Sequence, residues 1–191
     1  MTTRVVVLLS GSGTLCQALF DAIDAGEVEA QVVAVVSDRA DAQGLERARA
    51  RGLPAVAVPL AKGADRAEWD ERLRDEVAAH APDLVASAGF MKLLGPAFLA
   101  RFAGLTINTH PALLPSFPGM HGPRDALRAG VKVSGATVFL VDDGVDTGRI
   151  LLQGAVEVLP DDTEESLHER IKVVERRLLV QAVADWNKET P

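Results

Sequence analysis

Residues 4–25 read RVVVLLSGSGTLCQALFDAIDA. The run from Arg4 to Leu9 is apolar without alternation, the pattern of a strand buried on both faces of a sheet. Ser10-Gly11-Ser12-Gly13 breaks it, and apolar residues then return at helical spacing from Thr14 to Ala25, until Gly26 stops the helix. The same alternation continues outward. Strands are expected at residues 31–36, 55–58, 83–88 and 105–107, and helices at 43–51, 66–80 and from Pro96. In the helix that opens at Asp65, Trp69, Leu73 and Val77 recur every fourth residue as one buried face. After a short helix at 124–129, residues 135–141 and 149–158 read as two strands of an antiparallel hairpin. A closing helix starts at Asp162-Thr163-Glu164-Glu165, with Leu167, Ile171, Val174 and Leu178 on its buried stripe and Val183 and Trp186 closing the core. The expected fold is α/β: a doubly wound, mostly parallel sheet with a C-terminal antiparallel hairpin and helix.

Composition bounds the function. At 191 residues and 48% apolar, the chain suits one well-packed domain, residues 1–191. A net charge of −7 without a basic cluster argues against nucleic acid as a partner. The single cysteine, Cys16, leaves no internal disulfide and no cysteine-based zinc site, as suits a reducing compartment. The apolar run after Arg4 is too short for a signal or membrane segment, so a cytoplasmic protein without a membrane partner is expected. Oligomeric state stays open between monomer and homodimer.

A strand, a glycine-rich turn and a helix N-terminus make a seat for phosphate, because free amides and the helix dipole both face the turn. The glycines equally allow a mere tight turn. A dinucleotide fingerprint needs a glycine at position 16, which is Cys16, and the Walker pattern needs Gly-Lys-Ser/Thr, which is missing, so neither NAD nor ATP fits. Asp38, after the second strand, reads as a turn residue.

The stretch 106–125, TINTHPALLPSFPGMHGPRD, carries the chemistry. Asn108 and His110 lie two residues apart at a strand end and point to one side. Pro111, Pro115, Pro118 and Pro123, with Gly119 and Gly122, then impose a stiff irregular loop of the kind that builds sites. Asp142, Asp143 and Asp146 crowd a later loop, but it lacks the terminal glutamate and flanking helices of a calcium site. His110 and His121 match no compact zinc spacing, so no metal is expected.

NTHPALLPSFPG with MHGPRDAL, AGFMKLL at 88–94 and VDDGVDTGRILLQ at 141–153 together resemble the folate-dependent formyltransferases. The PGMH ending is similar to the branch that formylates glycinamide ribonucleotide. The resemblance runs from residue 4 to about 176 and is densest at 88–148. It implies a Rossmann-like formyltransferase fold, 10-formyltetrahydrofolate as cosubstrate, and Asn108, His110 and Asp146 as catalytic residues. It places the ribonucleotide's phosphate and sugar at Gly11, Ser12, Gly13, Thr14, Pro111 and Glu175. It places the folate at Arg66, at Phe90, Met91, Lys92, Leu93 and Leu94, and at Val141, Asp142, Asp143 and Gly144, with His121 a possible supporting residue. One departure stands out: where the family commonly has Ser-Asn after the second glycine, this chain has Thr14-Leu15, so phosphate binding leans on backbone amides. Read without the resemblance, Arg66 and Glu175 are solvated surface residues.

Formyl transfer to an amine passes through a tetrahedral oxyanion and ends with a proton on the departing folate nitrogen. An amide donor and a protonated imidazole suit those needs, with Asp146 favouring and orienting the charged ring. Methionyl-tRNA formyltransferases add a basic C-terminal domain and formyltetrahydrofolate hydrolases an N-terminal regulatory one. Both are disfavoured by the chain's length, and a formyltransferase with another acceptor stays an alternative. A non-catalytic nucleotide-binding domain would leave Asn108, His110 and Asp146 together unexplained.

Overall fold

Seven strands form one sheet in the order β3-β2-β1-β4-β5-β6-β7 in the structure, a computed structural model that describes residues 2–189 and the side chains of residues 2–186. The strands are β1 Thr3–Leu9, β2 Ala30–Ser37, β3 Ala55–Ala57, β4 Leu84–Ser87, β5 Thr106–His110, β6 Val133–Leu140 and β7 Ile150–Glu157. The first five run parallel; β6 is antiparallel to both β5 and β7. The helices are α1 Thr14–Asp24, α2 Gln43–Ala50, α3 Arg66–Ala79, α4 Pro96–Arg101, α5 Gly122–Ala129 and α6 Glu164–Glu189. Among the described residues no helix is long and apolar enough to cross a membrane.

Strand β1 explains why its sequence is apolar without alternation. Val5, Val7 and Leu9 point into a core shared with α1, α2 and α6, while Val6 and Leu8 point into a second core with α3 and α4. With helices on both faces, no side of the strand meets water, and all five side chains are fully buried. The expected face of α3 is equally complete: Trp69, Leu73 and Val77 are fully buried, and the Trp69 indole donates to the Val58 carbonyl at 2.8 Å. Leu167, Ile171 and Leu178 bury the stripe of α6, and Thr163 with Ser166 closes its first turn reciprocally.

The strand order reverses between β1, from which the sheet grows outward to β2 and β3, and β4, from which it grows the other way to β5. That switch point leaves a crevice beyond the carboxyl ends of the strands, the usual ligand position in an open parallel sheet. The 10–13 turn leaves β1 on one side of it, the 89–94 segment leaves β4 on the other, and β5 carries Asn108 and His110 beside them.

Several details differ from the sequence reading. Strand β5 continues through His110, because hydrogen bonding to β6 pairs Asn108 with Phe139 and His110 with Thr137. Asp38 is more than a turn residue: at the end of β2 it is buried, and the Ser10 hydroxyl donates to it.

Candidate active site

Because Asn108 and His110 sit within β5 itself, the ladder to β6 fixes both Cα positions and turns both side chains to one face. The proline-rich loop that follows is tied down from below. The Thr137 hydroxyl donates to the Ala112 carbonyl at 2.7 Å and accepts from the Leu114 amide at 3.0 Å, and Gln153 donates to the Leu114 carbonyl at 2.8 Å. So anchored, the loop returns over His110. The Phe117 carbonyl lies 2.8 Å from Nε2 and can only accept, so Nε2 carries the hydrogen.

Asp146 approaches the other ring nitrogen, with Oδ2 3.4 Å from Nδ1. The same oxygen accepts from the Gly119 amide at 2.7 Å, which fixes the carboxylate against the loop. Both residues that hold the imidazole have left-handed backbones, Phe117 at φ 56° and Asp146 at φ 55°. Such conformations cost about 1–3 kcal/mol in a non-glycine residue and persist only where surrounding contacts enforce them. His110 is 4% exposed, whereas Asn108 is half-buried and its amide has no hydrogen-bond partner among the described residues. One donor of the pair is thus free and the other is held.

The 11–14 turn lies where β1 enters α1. Gly13, at φ 71°, caps the helix and approaches α2 so closely that an added Cβ would stand 2.7 Å from the Gly44 Cα. The amides of Ser12, Gly13 and Thr14 meet no acceptor among the described residues, as a site for an anion requires. Leu15, in the place of the family's amide side chain, packs against the core.

Across the switch point, the 90–94 segment exposes Met91 and Leu93 at 63% and 61%. Phe90 stacks on Trp69, with ring centroids 6.3 Å apart. Two backbone groups of the segment are already used: the Met91 amide donates to Ser10 Oγ at 2.7 Å, and the Leu93 carbonyl accepts from Arg66. Arg66 also lies over the Trp69 ring at 4.9 Å, so its conflict with the helix dipole is offset by these contacts. Lys92 Nζ is 3.7 Å from Asp38. The 141–148 loop is braced by Asp142, which accepts from the Gly144 amide and the Thr147 hydroxyl, while Asp143 and Gly144 are exposed and Val141 is half-buried.

Glu175 is buried rather than solvated, at 5% exposure, and burial pushes its carboxyl up to about 7 against the pull of Thr109, Lys172 and Arg176. The Thr109 contact falls short of a hydrogen bond, since its hydroxyl is buried without a partner of proper geometry. Pro111 is half-buried after β5, and His121 is exposed at the start of α5 with no capping bond. Cys16 is fully buried and its thiol is pushed up to about 12, which leaves it without nucleophilic character. No three His, Cys, Asp or Glu residues gather as a metal-binding group among the described residues. Sequence reasoning missed Ser10, and it missed Asp70, whose buried carboxylate accepts from the Gly95 and Phe98 amides and caps α4. The signal for Asp70 was a charged residue next to the buried Trp69.

Residues 3–183 match the formyl transferase family, a class of group-transfer enzymes: the chain belongs to that family. Its relatives within the family include phosphoribosylglycinamide formyltransferases. The Mycobacterium tuberculosis (strain H37Rv) protein of that name is 58% identical over 95% of this chain and 83% of its own length. The Escherichia coli (strain K12) protein is 40% identical over 92% of this chain and 82% of its own. The crystal structure of glycinamide ribonucleotide transformylase 1 from Symbiobacterium toebii superposes with a TM-score of 0.95 at 44% identity, covering 98% of this chain and 88% of that one. The expected doubly wound sheet with its antiparallel C-terminal strands is thus the fold of this enzyme family.

Proposed function

We infer that this chain transfers the formyl group of 10-formyltetrahydrofolate to the amine of glycinamide ribonucleotide, giving the formylated ribonucleotide and tetrahydrofolate in purine synthesis. The observation that carries the reading is the conjunction of Asn108, His110 and Asp146 at the carboxyl end of β5, beside an open amide turn. In this reading residues 1–191 act as one cytoplasmic domain, as a monomer or a homodimer, with small molecules as its partners and no metal.

The ribonucleotide's phosphate sits on the amides of Ser12, Gly13 and Thr14 and on the hydroxyls of Ser12 and Thr14, with Gly11 giving room for approach. Pro111 and Glu175 line the sugar. The pterin lies between the 90–94 segment and the 141–144 loop, with Arg66 and Lys92 at its borders, and His121 supports the substrate from α5. The amine then attacks the formyl carbon, a carbon–nitrogen bond forms, and the carbonyl oxygen becomes an oxyanion. Asn108 donates its free amide hydrogens to that oxygen, and His110 donates from Nε2 once the oxyanion displaces the Phe117 carbonyl. Asp146 orients the ring and, through ordered water, relays the amine's proton to the folate nitrogen as the old carbon–nitrogen bond breaks.

The test is a spectrophotometric assay of the purified protein with 10-formyltetrahydrofolate. Release of tetrahydrofolate only in the presence of glycinamide ribonucleotide is expected. Release without the ribonucleotide identifies a hydrolase, and no release in either mixture identifies another acceptor or a binding domain.

A further inference from the structure

Arg47 of α2 stands behind the 11–14 turn and takes no part in the chemistry above. Its Nε donates to the Ser12 carbonyl at 2.8 Å, and its Nη1 donates to Gln17 Oε1 at 3.1 Å. Gln17 is held in turn by Asp21 on the same helix, at 2.7 Å. One turn earlier on α2, the Gly44 amide donates to the Gly11 carbonyl at 3.0 Å, and within α1 the Gln17 amide donates to the Gly13 carbonyl at 2.9 Å. Three consecutive carbonyls, those of Gly11, Ser12 and Gly13, are therefore all engaged away from the crevice.

In a trans peptide the carbonyl and the following N–H point in opposite directions. Holding these carbonyls on α1 and α2 therefore turns the amides of Ser12, Gly13 and Thr14 the other way, and those amides are without acceptors among the described residues. The middle peptide is the vulnerable one. Gly11 and Gly13 flank Ser12, and glycines let a peptide plane flip at little steric cost. The bond from Arg47 is the one contact on that peptide's carbonyl among the described residues. Leu15, buried toward the core, supplies no side-chain donor to compensate.

We propose that Arg47 is a positioning residue for the substrate's phosphate: without touching the ligand, it locks the Ser12–Gly13 peptide with its amide toward the crevice and places a half-buried cation behind the turn. This rests on the reading of the turn as the phosphate seat. The guanidinium fork suits the task because it spans two acceptors on different segments, which an ammonium cannot do at once.

Steady-state kinetics of Arg47→Met and Arg47→Lys, each with glycinamide ribonucleotide and with the phosphate-free glycinamide riboside, test the proposal. Arg47→Met is expected to raise KM for the ribonucleotide by about 10- to 100-fold, the worth of a charge-assisted hydrogen bond, while kcat and KM for the folate stay within about twofold of wild type. Arg47→Lys falls between, and it carries the comparison if circular dichroism shows the methionine variant unfolded. With the riboside, wild type and variants should give the same kcat/KM. An unchanged ribonucleotide KM, or an equal loss on both substrates, overturns the role of Arg47. A wild-type enzyme that uses riboside and ribonucleotide equally well overturns the phosphate seat itself.

Discussion

The Phe117 carbonyl accepts a hydrogen bond from His110 Nε2 at 2.8 Å, so the resting protein keeps the imidazole's outward N–H occupied by its own loop. A catalytic role for His110 as a donor therefore requires a substrate oxygen that competes with this carbonyl, and a charged oxyanion does so better than a neutral formyl oxygen. His110→Asn is expected to lower kcat by about 10²–10⁴-fold. Because His110 is buried and bonded, the variant should also lose about 1–3 kcal/mol in urea unfolding. Near wild-type turnover in a folded variant would remove His110 from the mechanism.

Asp146 binds both the Gly119 amide and His110, so charge and geometry can be separated there. In Asp146→Asn the side-chain oxygen can still accept from Gly119 while the negative charge is lost. We expect kcat to fall by about 10²-fold or more, with KM for both substrates near wild type. A loss confined to KM would mean that Asp146 binds substrate instead of assisting His110.

Ser10 joins three strand ends: its amide donates to the Gly89 carbonyl at 3.0 Å, while its hydroxyl accepts from the Met91 amide and donates to Asp38. Ser10→Ala removes the hydroxyl and leaves Asp38 with the 3.7 Å contact to Lys92. The expected result is a loss of about 1–3 kcal/mol in stability together with a higher KM for the folate, since the 90–94 segment loses its tether. Unchanged folate KM in the variant would show that this tether does not shape the pterin site.

Glu175 sets a pH dependence of stability. Its carboxyl is raised to about 7 in the folded protein, chiefly by burial, from an ordinary value of 4.5. The folded state therefore binds more protons than the unfolded state between those values. The associated stability is fully present below the unfolded value and is lost as pH rises through the folded one. Glu175→Gln should remove that loss, so that the variant gains on wild type between pH 5 and pH 8, by on the order of 3 kcal/mol at the upper end. Thermal unfolding of both proteins across that range checks it; parallel curves would contradict the buried carboxyl.

The sequence by itself determined the architecture, and it marked the residues of the candidate site. Unbroken apolar runs of strand length, ended by glycine-rich turns, fit strands covered on both sides, and β1 divides its side chains between two cores as that pattern demands. Glycine and proline marked the turns because their backbone limits act locally, whatever the rest of the chain does. Asn108, His110 and Asp146 were legible as types and spacings within conspicuous motifs. What only the tertiary structure decided is which groups are already taken. That Phe117 holds His110, that Ser10 holds Met91, and that Arg47 holds Ser12 are contacts made by a loop folding back or by segments far apart in the chain, with separations of 7, 81 and 35 positions. Burial of Asp38, Asp70 and Glu175 belongs to the same class. Periodicity assigns a charged side chain to the surface by default, and only a packed neighbour with a free donor, or a sealed face, can reverse that assignment.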